Sequence, residues 1–217
     1  MKIADILKNN RVTVSFEVFP PKEWSKIENT KAVIAEMAKS KPAFMSVTYG
    51  AAGTRTGFTT EIAQAIKENG ITPLSHLTCL TSTKDKINDV LNEWKAAEIE
   101  NILALRGDIP DGFEFPSNQH FHHASELVSE IKSNGDFCVG AACYPEIHPE
   151  SANRIDDINH LKEKVDCGVD FLTTQMFFDN EVFLRFKENC LIKGINVPII
   201  AGIMPITNAN QIKRSVE

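Results

Sequence analysis

The stretch VTVSFEVFPPK, residues 12–22, alternates apolar and polar side chains and ends in two prolines. Alternation predicts a β-strand with one apolar face, because successive side chains of a strand point to opposite sides. Glu17 lies on the polar face, and a carboxylate buried without a partner costs several kcal/mol. Glu17 must therefore be solvated on an edge strand, paired, or used in chemistry. The apolar face consists of Val12, Val14, Phe16 and Val18.

Six further apolar runs follow along the chain, and segments with helical periodicity separate them. A glycine follows most of these helical segments, and glycine suits the left-handed residue that ends a helix. The repeating unit of about 30 residues is typical of βαβ units. The runs are AFMSVTY (43–49), ITPLSHLTC (71–79), NILALRG (101–107), DFCVGAACY (136–144), VDFLTTQMF (169–177) and VPIIAGIM (197–204). The glycines are Gly70, Gly135, Gly168 and Gly194.

Two architectures suit alternating strands and helices: an open doubly wound sheet and a closed eight-stranded barrel. An open sheet predicts strands that are apolar on both faces, whereas residues 12–18 alternate. The pattern therefore favours an α/β fold of the TIM-type (β/α)8 barrel. We expect one domain over residues 1–217, truncated after the seventh strand and lacking the eighth strand–helix unit, unless the barrel closes in another way.

Composition excludes several classes of protein. The 217 residues are 42% hydrophobic and carry a formal net charge of −6, which argues against nucleic acid or an anionic membrane as the main partner. The first ten residues predict a short amphipathic helix, and no apolar run approaches the ~20 residues that span a bilayer. Five cysteines without a C-x-x-C pair indicate free thiols in a reducing cytoplasm.

Polar side chains lie near the carboxyl ends of the predicted strands. In a parallel α/β barrel these ends converge on one face, where active sites are built. A closed barrel has no edge, so Glu17 would point inward on that face. The group consists of Glu17, Thr48, Tyr49, His76, Thr78, Arg106, Asp108, Tyr144, Glu146, His148, Thr174 and Gln175.

Three further features carry weaker signals. GAAGTRTG (50–57) matches neither common phosphate-loop pattern, and we interpret it as a mobile loop at the barrel mouth. HFHH (120–123) lacks companion ligands at metal-binding spacing, so we predict no metal site. His160 and Lys164 belong either to the mouth or to an ordinary helix surface.

Six motifs together resemble the methylenetetrahydrofolate reductase family, in the same order and at similar spacing over about residues 14–210. They are VSFEVFPPK, FMSVTYGAAG, LSHLTC, LALRGDIP, AACYPEIHPES and TTQMFFD. The resemblance implies an eight-stranded α/β barrel that holds FAD at the carboxyl ends of its strands. It also implies oxidation of NADH or NADPH and reduction of 5,10-methylenetetrahydrofolate to 5-methyltetrahydrofolate, with the two substrates taking turns at the flavin in a ping-pong mechanism.

Carried over by position, the resemblance makes Glu17 the general acid. Asp108 would tune the flavin and grip the folate, and Gln175 would hydrogen-bond the pterin. The implied FAD-binding residues are Thr48, Tyr49, His76, Arg106, Gly107, Asp108, Ala124, Tyr144, His148, Asp157, His160 and Lys164. The chain departs from the family pattern at His123, His160, Glu163 and Ala209. No metal is implied, and a homo-oligomer is left open.

A second hypothesis is a truncated, non-catalytic remnant that binds a flavin or a folate. The missing eighth strand favours the remnant. Glu17, Asp108 and Gln175 favour the enzyme.

Overall fold

The computed structural model describes residues 1–9, 12–21, 23–49, 56–108 and 118–216. Within these ranges, strands and helices alternate from β1 onward, as the sequence predicts. The strands are β1 (Ser15–Val18), β2 (Phe44–Val47), β3 (Thr72–Thr78), β4 (Asn101–Leu105), β5 (Cys138–Cys143), β6 (Phe171–Thr174) and β7 (Ile199–Ile200). The α-helices are α1 (Ile3–Leu7), α2 (Ile27–Ala38), α3 (Thr56–Glu68), α4 (Lys84–Ala96), α5 (Ala124–Asn134), α6 (Arg154–Asp166), α7 (Asn180–Ile192) and α8 (Ala209–Val216), and a 3₁₀ turn covers Trp24–Lys26.

The seven described strands form one parallel sheet in the order β1 to β7. Each strand pairs with the next along the chain, so that Glu17 is level with Ser46 and His76 with Leu103. The sheet curls into an incomplete barrel in which β1 and β7, as described, each have one neighbour. The predicted α/β barrel class and its seven strands are confirmed.

The two faces of the sheet hold different cores. Helices cover the outer face through a large cluster that includes Val18, Met45, Val47 and Leu172. A smaller cluster, defined by Ile3, Phe44, Leu74, Leu103, Cys138 and Phe171, fills the inside of the barrel. Most of its strand residues come from the first positions of their strands, so the inner core lies at the amino ends and leaves the carboxyl ends for polar groups.

Helix α1 closes the amino-terminal end of the barrel. Ile3 is fully buried there, and its backbone N–H donates to Asn101 Oδ1 at 2.8 Å. Asn101 Nδ2 in turn donates to the carbonyl oxygens of Met1 at 3.0 Å and Pro73 at 3.2 Å. A buried asparagine that is satisfied in this way locks the helix against the sheet. The predicted N-terminal helix is therefore confirmed, and it covers the amino-terminal end of the barrel.

Three of the four predicted helix-ending glycines have the left-handed backbone, with φ of 75°, 114° and 77° at Gly70, Gly168 and Gly194. The prediction is wrong for Gly135, whose φ of 164° is extended. A Cβ there would lie 3.0 Å from Lys95 Cε. Close packing against Lys95, and not a left-handed backbone, therefore favours glycine at this position. All five cysteines are free thiols. No helix within the described ranges has the length and apolarity that a membrane span requires.

Gly140 of β5 should tolerate no side chain, because an added Cβ would lie 2.5 Å from the Phe171 ring and 3.0 Å from Leu103 Cδ1. We expect Gly140→Ala to lower the free energy of unfolding by about 1–3 kcal/mol, as overpacking of a core does. Urea denaturation measures the change. Phe171→Leu in the Gly140→Ala background should recover part of the loss, and a failure of the smaller side chain to help would contradict the steric explanation.

Candidate active site

A cleft of about 700 Å³ lies over the carboxyl ends of β4, β5 and β6. Its volume falls within the range of about 300–1,000 Å³ that is usual for ligand sites. Ten of the residues assigned to the site from the sequence line it. They are Arg106, Gly107, Asp108, Ala124, Tyr144, His148, Asp157, His160, Lys164 and Gln175.

Arg106 follows β4 directly and reaches across the cleft to Glu150. Its Nη1 donates to Glu150 Oε2 at 2.6 Å, and its Nη2 donates to Oε1 at 2.5 Å. Two parallel charge-assisted bonds of this kind are the strong form of an ion pair. They raise the pKa of Arg106 and lower the pKa of Glu150. Both groups are therefore charged at neutral pH.

The loop between β5 and α6 brings two aromatic rings to the cleft. The rings of Tyr144 and His148 meet edge to face with centroids 4.7 Å apart. Between them Ile147 has φ of 84°, a strained value for a β-branched residue. Burial raises the pKa of Tyr144, and the nearby Asp108 carboxylate adds to the shift. Strained backbone is common at functional sites, where the surrounding structure holds it in place.

Asp157 ties this loop to α6. Its Oδ1 accepts a hydrogen bond from Ser151 Oγ at 2.9 Å and a longer one from the His148 backbone N–H at 3.4 Å. About two turns further along α6, Lys164 Nζ donates to the Ala142 carbonyl oxygen at 2.6 Å. Burial lowers the pKa of Lys164, against opposing effects from Cys143 and Asp157. Helix α6 thus supplies the Lys164 amine and the Asp157 and Glu163 carboxylates to the cleft.

Backbone groups form the opposite wall of the cleft. Gly107 has φ of 88°, and a Cβ there would lie 3.2 Å from Thr78 Cβ, so only glycine fits without strain. Ala124 and Ser125, the first two residues of α5, also line the cleft. The positive end of a helix favours an anion. The Glu126 carboxylate already accepts hydrogen bonds from the His122 and His123 backbone N–H groups, at 2.7 and 2.8 Å.

Glu17 and His76 form a separate pair on the inner wall of the barrel. Ser46 Oγ donates to Glu17 Oε2 at 3.3 Å, and His76 Nε2 lies 3.6 Å from the same oxygen. Although 47% of the Glu17 side chain is accessible, burial of the carboxylate raises its pKa and the Ser46 bond opposes the shift. Burial lowers the pKa of His76 to about 4. The imidazole is therefore neutral at physiological pH, and its Nε2 has no hydrogen-bond partner among the described residues.

The structure does not bring Thr48 and Tyr49 to the cleft lining. The Thr48 carbonyl oxygen accepts a hydrogen bond from Thr59 Oγ1 at 3.3 Å. Tyr49 is 9% exposed and packs into the outer core. Burial raises the pKa of Tyr49 to about 12, and its hydroxyl faces Ser82 without completing a hydrogen bond of normal geometry.

Three residues with a part in the site had no role in the sequence assignment. Ser46 donates to Glu17, Glu150 pairs with Arg106, and Ser151 donates to Asp157. Ser46 had a detectable signal, because it is polar at an inward position of FMSV. Glu150 and Ser151 lie within the HPES stretch, but nothing there indicates which groups they meet.

Within the described ranges, no three His, Cys, Asp or Glu side chains gather as a metal-ligand set. His120 of the HFHH stretch pairs with Thr83 in a short antiparallel bridge, and His123 precedes α5. Residues 50–55 of the predicted mouth loop lie outside the described residues.

Comparison with known proteins identifies the family. The family model described as methylenetetrahydrofolate reductase matches residues 2–217. The chain belongs to the methylenetetrahydrofolate reductase family. The resemblance that the six motifs predict is thereby confirmed.

Relatives of this chain in bacteria and in a plant bear the name methylenetetrahydrofolate reductase. The 5,10-methylenetetrahydrofolate reductase of Escherichia coli (strain K12) is 39% identical over 205 residues, which cover 94% of this chain and 68% of that protein. The enzyme of Pectobacterium carotovorum subsp. carotovorum is 38% identical, with 94% and 67% covered. The Arabidopsis thaliana protein named methylenetetrahydrofolate reductase (NADH) 1 is 37% identical, and the match covers 95% of this chain but 37% of the plant protein.

Solved structures of other families share the fold. An oxaloacetate acetylhydrolase superposes with a TM-score of 0.66 at 11% identity, covering 98% of this chain and 76% of that one. A 2,3-dimethylmalate lyase superposes with a TM-score of 0.65 at 7% identity, covering 99% and 82%. At these identities the likeness concerns the barrel architecture alone.

Proposed function

We propose that this chain is a flavoprotein that uses NADH or NADPH to reduce 5,10-methylenetetrahydrofolate to 5-methyltetrahydrofolate through FAD, by a ping-pong mechanism. The placement of Glu17 carries the proposal. A carboxyl group with a raised pKa stands on the inner wall of the same barrel whose carboxyl-end cleft contains Arg106, Asp108 and Gln175. The relatives named above are called 5,10-methylenetetrahydrofolate reductases, which supports the folate half of the proposal.

The residues of the cleft fit FAD. The fork of Arg106 and the first turn of α5 suit a pyrophosphate, because both offer donors and positive charge. Gly107 contributes backbone alone to the cleft lining. Tyr144 offers an aromatic face, while His148, Asp157, His160 and Lys164 supply polar groups. Thr48, Tyr49 and His76 belong to the proposed set through the family resemblance.

When bound, the flavin would supply the hydride chemistry, and the protein would supply binding, orientation and charge. Asp108 would hold the folate and make the addition of electrons to a neighbouring ring less favourable. Gln175 would fix the pterin by hydrogen bonds. Both side chains are exposed within the cleft and so are available to a ligand.

Glu17 would act as the general acid. Opening the five-membered ring of the substrate requires a proton on a ring nitrogen, and a carboxyl group with a raised pKa retains a proton that it can donate. Ser46 donates to one oxygen of the carboxyl group, and His76 lies near the same oxygen. Oxidation of NADH or NADPH needs no such proton, so the acid should serve only the folate half of the cycle.

The test is binding of FAD followed by turnover. Purified protein incubated with excess FAD should keep a flavin absorption spectrum after gel filtration. The spectrum should bleach with NADH or NADPH without air and return with methylenetetrahydrofolate. Lys164→Gln should weaken FAD binding, whereas Lys162→Gln should not, because Lys162 lies on the same helix but pairs with Asp166 on the surface. A folded sample that stays colourless contradicts the proposal.

The alternative of a non-catalytic remnant makes a different prediction in the same experiment. The described sheet has two edges, at β1 and β7, and an incomplete barrel could bind a flavin without holding the folate correctly. A sample that binds FAD but whose reduced flavin is not reoxidised by methylenetetrahydrofolate would support that alternative.

A further inference from the structure

We propose that Glu150 sets the affinity of the cleft for its anionic ligand by competing with that ligand for the guanidinium of Arg106. The inference rests on the proposed function in one respect: the ligand is taken to be FAD, whose pyrophosphate is the anion. Glu150 thereby becomes a determinant of cofactor affinity.

The geometry of the ion pair is the first argument. Glu150 engages both terminal nitrogens of Arg106, at 2.6 and 2.5 Å. This two-point contact is also the one by which arginine recognises a phosphate group. A phosphate that binds the same two nitrogens of Arg106 must therefore displace the Glu150 carboxylate.

The charge of the cleft is the second argument. The described lining contains one arginine and one lysine, Arg106 and Lys164, against the four carboxyl groups of Asp108, Glu150, Asp157 and Glu163. Lys164 is partly buried, and its amine already donates to the Ala142 carbonyl oxygen. Arg106 is thus the main group with which the cleft can attract a dianion. Glu150 already occupies its guanidinium.

The third argument is that Glu150 can leave at low cost. Its side chain is 58% exposed, whereas that of Arg106 is 25% exposed. A carboxylate that turns outward is rehydrated, so its release costs little. The backbone N–H of Glu150 donates to His148 Nδ1 at 3.1 Å. The side chain can therefore turn while the loop keeps its place.

The experiment compares a charged and an uncharged flavin. Full-length protein stripped of flavin is titrated with FAD and with riboflavin, and binding is followed by quenching of flavin fluorescence. We expect Glu150→Gln to bind FAD about three- to fivefold more tightly, the upper part of the range for release of a partly exposed ion pair, with riboflavin affinity unchanged. Glu146→Gln is the matched control, since Glu146 is exposed on the same loop and has no ion-pair partner in the described part of the chain.

A double-mutant cycle tests whether the effect passes through Arg106. In the Arg106→Gln background, Glu150→Gln should change FAD affinity by about twofold or less. Weaker or unchanged FAD binding by Glu150→Gln would overturn the inference, because Glu150 would then position Arg106 or do nothing to it. Equal tightening of riboflavin would also overturn it. Failure of wild type and all variants to bind FAD would instead overturn the proposed function, and the inference with it.

Discussion

Replacing Glu17 with glutamine should slow reoxidation of the reduced flavin by methylenetetrahydrofolate by about 10²–10⁴-fold, the usual effect of losing a general acid. Reduction of the flavin by NADH or NADPH should stay near the wild-type rate. The amide keeps the size and polarity of the side chain and can still meet Ser46, which binds Glu17 Oε2 at 3.3 Å. Only the transferable proton is lost. Anaerobic stopped-flow absorption measures each half-reaction separately.

The pH dependence of the folate half-reaction provides an independent check. Burial raises the pKa of Glu17, so the wild-type rate should fall as pH rises through that pKa and the acid loses its proton. The variant should lack this fall. Glu17→Asp keeps an acid on a shorter side chain and should recover part of the rate. Equal slowing of both half-reactions would make Glu17 structural, and no slowing would place the acid elsewhere.

His76 should make the stability of the protein depend on pH between about 6.5 and 4. Burial lowers its pKa from 6.5 to about 4, so in this window the unfolded chain binds a proton that the folded chain does not. The free energy of unfolding should therefore fall as the pH falls. The full contribution of a shift of this size is roughly 3 kcal/mol. Above pH 6.5 the imidazole is neutral in both states and the contribution disappears.

Urea denaturation of wild type and His76→Gln across this range measures the effect. The difference in unfolding free energy between them should shrink or change sign toward acid pH. Glu17, which faces His76 at 3.6 Å, acts in the opposite direction: its raised pKa adds stability that is lost as the pH rises. Glu17 is present in both proteins, so most of its contribution cancels. His160→Gln, at an exposed position of α6, is the control and should keep the wild-type pH dependence. An equal loss of that dependence in His160→Gln would refute the role of His76.

Local sequence patterns predicted most of the fold. The period-two alternation in residues 12–18 and the helical segments between apolar runs predicted all seven described strands in order. This succeeded because strand and helix periods are properties of neighbouring residues. Gly135 shows where a local sequence pattern fails to predict the backbone. Its place after a helix predicted a left-handed backbone, but its contact with Lys95 comes from another helix.

The sequence predicted which residues line the cleft wherever the position of a residue just after its strand determines its surroundings. Arg106, Gly107, Asp108, Tyr144 and Gln175 all follow strands, and parallel strands bring their carboxyl ends together. Tyr49 follows a strand as well, yet its ring turns into the outer core. Strand position alone does not determine which way a side chain turns after its strand ends.

The sequence by itself therefore determined the barrel class, the order of its strands and the face on which the polar residues gather. Only the tertiary structure decided which of those residues meet. Glu150 reaches Arg106 from 44 residues away, and His76 meets Glu17 from two strands away. Such contacts depend on the register and curvature of the sheet and on the path of each loop. These are set by packing of the whole chain, and no local pattern encodes them.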